Sequence, residues 1–293
     1  MSSCYCKAIF VTLNNISLLD LGEHNLKGLT RTERIFQLVT PDLQKDFPAL
    51  MSIATTTNNL PTQLTSFIGR ERELREAKEK LSSARLLTLI GPGGTGKTRL
   101  SLQLGAQVLP NFSDGVWFVE LAPLADHALI LQTIASVLNV RAQMGVLLKD
   151  IAIDYLRAKN LLLIFDNCEH LVEASAQLVD EFLHHVPNLK IIASSREALG
   201  IGGETVYRVP SLSLPNQANV TREALAGFES IQLFVERARA ANPKFDLTEK
   251  NAASVAQICR RLDGIPLALE LAAARVTVFS AEQITTRLDD RFK

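Results

Sequence analysis

Apolar residues along this chain follow two rhythms, and the alternation between them lays out a fold. Five short runs are almost wholly apolar: Leu86–Ile90, Val116–Glu120, Leu161–Phe165, Lys190–Ser194 and Thr205–Val209. Each has the length of a strand, and hydrophobicity that is continuous rather than alternating predicts burial on both faces. Between them the spacing changes to every third or fourth residue, notably over Asp126–Asn139 and His170–His185, as in helices with one buried side. A charged helix with Leu74, Ala77 and Leu81 along one face precedes the first run. Buried strands separated by helices predict a three-layer α/β/α domain around a five-stranded, mainly parallel sheet. From Asn216 to Lys293 only the helical rhythm remains, which predicts a small all-helical domain. Ile231, Phe234, Val235 and Ala238 mark one helix face, ended before Pro243. Val255, Ile258, Cys259 and Leu262 mark another, ended by Asp263-Gly264. Pro266 opens a further helix, Leu267–Ala274, at the position where proline is tolerated.

Residues 1–50 read differently. Short alternating pieces at Ile16–Leu21 and Arg34–Thr40, with Gly22 and Gly28 between them, predict two strands with turns. Residues 51–65 are rich in Thr, Asn and Ser and read as a linker. The expected organisation is therefore 1–50, a linker over 51–65, a sheet domain over 66–215 and a helical domain over 216–293. The charged end, Arg287–Lys293, lacks a helix stop, which predicts a chain truncated on that side. There is no internal repeat.

Composition narrows the function classes. Lys and Arg number 31 and Asp and Glu number 31, so no general basic surface argues for nucleic acid or an anionic membrane. No helix-turn-helix with a basic recognition helix is evident, so direct nucleic-acid binding is not expected. No apolar run approaches the roughly 18 residues of a membrane span. The apolar piece Ala8–Leu13 is too short for a signal peptide and is interrupted by Asn14-Asn15. Cys4, Cys6, Cys168 and Cys259 form neither a C-x-x-C pair nor a zinc spacing, which fits a reducing cytoplasm. Cys168 and Cys259 read as small buried apolar residues.

The chemistry concentrates at strand ends. Gly91-Pro92-Gly93-Gly94-Thr95-Gly96-Lys97-Thr98 fits G-x-x-x-x-G-K-[ST], between the first apolar run and a helical pattern. In that context backbone amides and a helix N-terminus cradle a phosphate. Lys97 reaches the β- and γ-phosphates, and the Thr98 hydroxyl takes Mg²⁺, implying ATP or GTP as ligand. The strand Leu161–Phe165 ends at Asp166, read as the second Mg²⁺ group; the alternative is an aspartate capping the next helix. Asn167 stands where many related ATPases carry a second acid, so slow hydrolysis is expected. Glu169 is the candidate base, or else an acid favoured by a helix N-terminus. Arg196, after Ser194-Ser195, is either a sensor of the γ-phosphate or a surface arginine paired with Glu197 or another acid. His170, His184 and His185 lack ligand spacing and read as helix-face residues.

Five motifs in one order resemble the NB-ARC-like, signal-transduction ATPases with numerous domains, a branch of the AAA-related P-loop NTPases. They are Phe67-Ile68-Gly69-Arg70-Glu71, like the "hhGRE" motif; the loop Gly91–Thr98; Leu162–Asn167; Ala193-Ser194-Ser195-Arg196-Glu197; and Leu262-Asp263-Gly264-Ile265-Pro266-Leu267, like the "GLPL" motif. The resemblance spans about Leu60 to Lys293. It implies a P-loop NTPase fold, ATP/ADP with Mg²⁺, Gly69 and Arg70 on one side of the base and Pro266 on the other, with Arg99 beside the loop. It also implies self-association on ATP binding. The winged-helix and repeat-sensor domains that follow in the family, as intramolecular partners, have no counterpart here. Val116–Leu121 and Ile258–Arg275 resemble bacterial regulators carrying a LuxR-type DNA-binding tail or an N-terminal cyclase. Leu19–Leu29 and Glu33–Leu38 resemble the last strands of class III adenylate/guanylate cyclase domains; the catalytic residues of that family are absent, so no cyclase activity is expected. The expected function is an ATP/ADP switch with weak ATPase activity in a bacterial signalling or transcriptional regulator. The rivals are a working ATPase coupled to a substrate, and a gene-fragment remnant or interaction module without output.

Overall fold

The strand β5 (Leu162–Asp166) shows why the sheet forms. All five of its residues are buried, with Leu163 and Phe165 in one core and Leu162 and Ile164 in another. A strand with two apolar faces is stable only with helices on both sides. The computed structural model describes residues 17–25, 32–39, 58–215 and 221–291. Its central sheet joins β3 (Leu86–Ile90), β4 (Val116–Glu120), β5, β6 (Lys190–Ser195) and β7 (Glu204–Arg208). The order is β4-β5-β6-β3-β7 and every pairing is parallel. On one face α3 (Leu129–Val137), α4 (Leu148–Arg157) and α5 (Val172–His185) bring Ile134, Leu156, Val179 and Phe182 onto Leu163, Phe165 and Ile191. On the other, α1 (Glu71–Ser83) and α2 (Lys97–Val108) bring Leu74, Leu81, Leu100 and Leu104 onto Leu87, Leu89 and Ile164. Each such leucine contributes about 1.5–3 kcal/mol by leaving water. The expected α/β/α sheet domain followed by helices is the observed fold.

The helices α6 (Arg222–Leu225), α7 (Glu229–Ala241), α8 (Glu249–Arg261), α9 (Pro266–Ala273) and α10 (Ala281–Arg291) share a third core. Ile231, Phe234, Val255, Ile258 and Cys259 are buried in it. Leu212 and Leu214 belong to this core too, so helical packing begins a few residues before 216.

Several boundaries differ for physical reasons. Asp166 is the last residue of β5 rather than the residue after it, because Leu121 N–H bonds its carbonyl and extends the ladder. The helix expected over Asp126–Asn139 is shorter: the Asp126 carboxylate takes the Ala128 N–H at 2.9 Å, and Asn139 turns to φ 55°. The helix expected from His170 begins at Val172, after Asn167 at φ 65° and a 3₁₀ turn over Cys168–His170. The supposed linker over 51–65 is part of the sheet edge from Asn58 onward. Asn58 bridges Val116, and the Asn59 amide takes the Phe118 N–H at 2.6 Å and donates to its carbonyl at 2.8 Å. An asparagine side chain carries the same donor and acceptor as a peptide, so it closes an otherwise open edge.

Residues 1–56 form a separate unit. Within it β1 (Ser17–Asn25) and β2 (Thr32–Val39) pair antiparallel, with a register shift between Asp20 and Gly22. Phe36 and Leu38 are half exposed. Both strands run longer than the alternating pieces that signalled them. Cys4, Cys6, Ala8–Leu13 and Gly28 lie outside the described residues. No helix among the described residues is long and apolar enough to cross a membrane.

Candidate functional site

The loop after β3 must reverse direction in a few residues and start α2. It does so with Gly94 at φ 80° and Gly96 at φ 87°, both in the left-handed region that favours glycine. At Gly94 space is also short, since a Cβ there would lie 3.0 Å from the Leu267 Cβ. The loop's carbonyls are taken by protein donors. Lys97 Nζ bonds the Gly91 and Pro92 carbonyls at 2.8 and 3.1 Å, and the Thr95 hydroxyl bonds Pro92 O at 2.9 Å. The Leu267 amide bonds Gly94 O at 3.2 Å, and the Arg70 guanidinium bonds Thr95 O at 2.7 Å. A loop whose carbonyls are taken by protein donors keeps its amides for a ligand.

That cavity, of about 280 Å³, lies between the loop and the helical residues Pro266, Leu267 and Glu270. Gly93, Gly94, Gly96, Lys97, Thr98 and Arg99 line it. So do Phe67, Ile68, Leu212 and Leu233, an apolar wall that suits a flat ring. Lys97 is buried, and burial pulls its pKa below the ordinary lysine range; Glu169 and Asp166 oppose that pull and Arg196 adds to it. Burial likewise lowers Arg99 and Arg70. Desolvated cations around one cavity favour a polyanion there.

Thr98 and Asp166 meet across the sheet. The Thr98 hydroxyl is 2.7 and 3.0 Å from the two oxygens of the Asp166 carboxylate. Ser194 donates to the same carboxylate at 2.5 Å. Glu169 lines the cavity and Arg196 does not; Arg196 Nε pairs with Glu169 Oε1 at 3.0 Å, with the arginine side chain 69% exposed. The sequence left open a sensor or an arginine paired with an acid. In this structure the acid is Glu169, not Glu197.

Two expected base contacts are placed otherwise. Gly69 is covered by the side chain of Glu229 and does not line the cavity. Arg70 lines it, but one guanidinium nitrogen, Nη2, bonds Thr95 O and, at 2.9 Å, Pro210 O, while Nη1 is buried without a partner, and its amide donates to Glu229 at 2.5 Å. The cause is Glu229, at the start of α7, which accepts the amides of Arg70 and Ser213 where a carboxylate is favoured. Gly91, Pro92 and Thr95 form the back of the loop rather than the cavity wall. The sequence reading missed Glu229, Glu270 and the apolar wall, whose partners lie far apart in the chain.

The remaining candidates are structural here. Cys168 and Cys259 are buried and burial pushes each thiol up to about 12. His184 and His185 bond carbonyls of their own helix, and His170 bonds Leu124 O. Among the described residues no cluster of three or more His, Cys, Asp or Glu side chains could hold a metal.

Comparison with known proteins agrees with this geometry. Residues 78–201 match the AAA domain family. An uncharacterized Mycobacterium tuberculosis protein is 40% identical over 84% of this chain and 59% of its own length. A second protein of that organism, provisionally named an HTH-type transcriptional regulator, is 41% identical over 73% of this chain and 23% of its own. The chain thus spans under two thirds of either relative. Among solved structures, a Walker-type ATPase of Pyrococcus abyssi shares the fold at 17% identity and TM-score 0.52, covering 77% of this chain and 72% of that one. The family match, the parallel sheet and the glycine loop at the end of β3 make residues 78–201 an AAA-type P-loop ATPase domain.

Proposed function

We propose that this chain is the nucleotide-switch module of a bacterial signalling or transcriptional regulator, binding ATP and ADP with Mg²⁺ and hydrolysing ATP slowly. The observation that carries the reading is that Thr98 and a buried Lys97 line a cavity roofed by Pro266, with the Asp166 carboxylate bonded to Thr98 at its edge. Phosphates would lie on the loop amides, with Lys97 leaving its carbonyls for them. The base would lie against Pro266 and the apolar wall. A hydroxyl and a carboxylate are the hard oxygen donors that Mg²⁺ takes while keeping most of its water, so Thr98 and Asp166 fit it. Bound there, Mg²⁺ neutralises charge on the β- and γ-phosphates. Arg70 would hold the loop through Thr95 O rather than bind the base.

Asn167 orients but does not deprotonate water, and Glu169 is the acid near enough to serve as base. Slow turnover suits a switch, which works by the different affinities of two conformations for two nucleotides. The relative named for transcriptional regulation supports that class of output. The motif order supports the NB-ARC-like branch, with self-association on ATP binding and a cytoplasmic setting. The hairpin β1–β2 fits the end of a class III cyclase domain without its catalysis.

The test is to purify the chain, denature it and identify released nucleotide by chromatography, with Lys97→Ala alongside. ADP near one per chain, absent from the variant, is the expected result. No nucleotide in either protein, and none bound on adding ATP and Mg²⁺, would overturn the reading.

A further inference from the structure

We infer that Ser194 is a positioning residue for the Asp166 carboxylate, and that its hydroxyl sets how strongly nucleotide binding depends on Mg²⁺. This rests on the nucleotide reading above. The argument begins with strand order. The glycine loop leaves β3 and Asp166 ends β5, but these strands are not neighbours; β6 lies between them. The ends of β3 and β5 are two strand spacings apart, roughly 10 Å, and Thr98 at the start of α2 reaches Asp166 from the loop side. The end of β6 lies between those two strand ends, beside the carboxylate that Thr98 touches.

Ser194 stands at that end of β6. It pairs in register with Leu89 of β3, and its neighbour Ala193 pairs with Phe165 of β5. It is 1% exposed. Its oxygen accepts the Asn167 N–H at 2.9 Å and its proton goes to Asp166 Oδ1 at 2.5 Å. A hydroxyl has one proton, so with Asn167 donating to it the Ser194 proton is committed to Asp166. Oδ1 takes two donors, Ser194 and Thr98. A hydroxyl can give a lone pair to a cation and still donate its proton, so Thr98 and Ser194 would hold the buried carboxylate together, and Ser194 is the donor that is not itself a cation ligand. The same oxygen anchors Asn167, whose left-handed turn at φ 65° leads to Glu169. One hydroxyl therefore holds the Asp166 carboxylate and the backbone turn that leads to Glu169, and neither alanine nor glycine replaces it.

The test is a fluorescent-ADP titration in EDTA and across a Mg²⁺ series, on wild type, Ser194→Ala, Ser194→Thr and Ser194→Cys. Loss of a group that orients a metal ligand costs about 10–100-fold in metal affinity. Ser194→Ala should raise the half-saturating Mg²⁺ concentration about 10-fold, a larger change than in the affinity for ADP in EDTA, since Ser194 also lines the cavity. Ser194→Thr, which keeps the hydroxyl, should restore it; Ser194→Cys, the same shape with a weak donor, should fall between and serves if the alanine variant does not fold. A Mg²⁺ requirement within about twofold of wild type, beside a lowered melting temperature, would make Ser194 structural only and overturn the inference. Failure of wild type to bind ADP at all would instead strike the nucleotide reading, and this inference with it.

Discussion

Arg196 and Glu169 occupy one another, and that pairing has a cost for the switch. If Arg196 reports the γ-phosphate, ATP must draw it away from Glu169, whereas ADP need not. An ion pair with one exposed partner contributes about 0.2–1 kcal/mol, a factor of about 1.4–5 in affinity. Glu169→Gln should therefore raise the ATP-to-ADP affinity ratio about 2–5-fold, measured by calorimetry with ADP and a non-hydrolysable ATP analogue. Arg196→Met should lower that ratio, and the double variant should behave like Arg196→Met. If Glu169 is also the base, Glu169→Gln should slow turnover about 100-fold or more. A changed ratio with unchanged turnover would leave Glu169 as the partner of Arg196 and nothing more.

At the scale of elements, the junction of α8 and α9 shows what a motif can encode. Gly264 sits at φ 63°, and its N–H closes α8 on Cys259 O. Its carbonyl takes the Leu212 N–H at 3.0 Å, and a Cβ would stand 2.5 Å from Leu212 O. The clash is with backbone, so no side chain can yield. The glycine thus lets the strand-like segment at Leu212 lie against the turn that launches Pro266 toward the loop. Gly264→Ala should cost about 2–4 kcal/mol and lower the melting temperature by roughly 5–15 °C, read by circular dichroism. A loss under about 0.5 kcal/mol would mean that the junction relaxes freely. The residues Asp263-Gly264-Ile265-Pro266 were legible as a helix stop and start because turn chemistry is local. The central strands β3, β5 and β6 were legible for a related reason: continuous burial leaves few polar residues in them, whereas the edge strands β4 and β7 are only partly buried. What was not legible is what depends on distance in sequence. Nothing near Glu229 announces that it will cover Gly69 and hold the amide of Arg70, 159 residues away. Nothing near Ser194 announces Asp166. Asn58 and Asn59 looked like linker because polar composition does not distinguish a free chain from one whose amides copy a strand.

For the whole molecule, the location of the site decides what can be removed. Every residue lining the cavity lies between Phe67 and Glu270, inside the unit that begins at Thr57. The central sheet and all three cores also belong to that unit. A domain with its own core folds by itself. Sheet and helical domain are also clasped across the cavity, by Leu267 on Gly94, by Glu229 on Arg70, and by Glu270 with Arg99 at 3.7 Å. A ligand held between them should stabilise both together. A chain starting at Thr57 should therefore bind ADP with Mg²⁺ within about twofold of the full chain. Ligand at about 100 times Kd contributes about 2.7 kcal/mol to the folded state, which for a chain of this size is roughly 5–11 °C. Thermal melts with and without ADP should show that rise as one transition in both chains. A rise in the full chain alone would give residues 1–56 a part in binding; two transitions, of which one moves, would mean that the clasp does not couple the helices to the sheet.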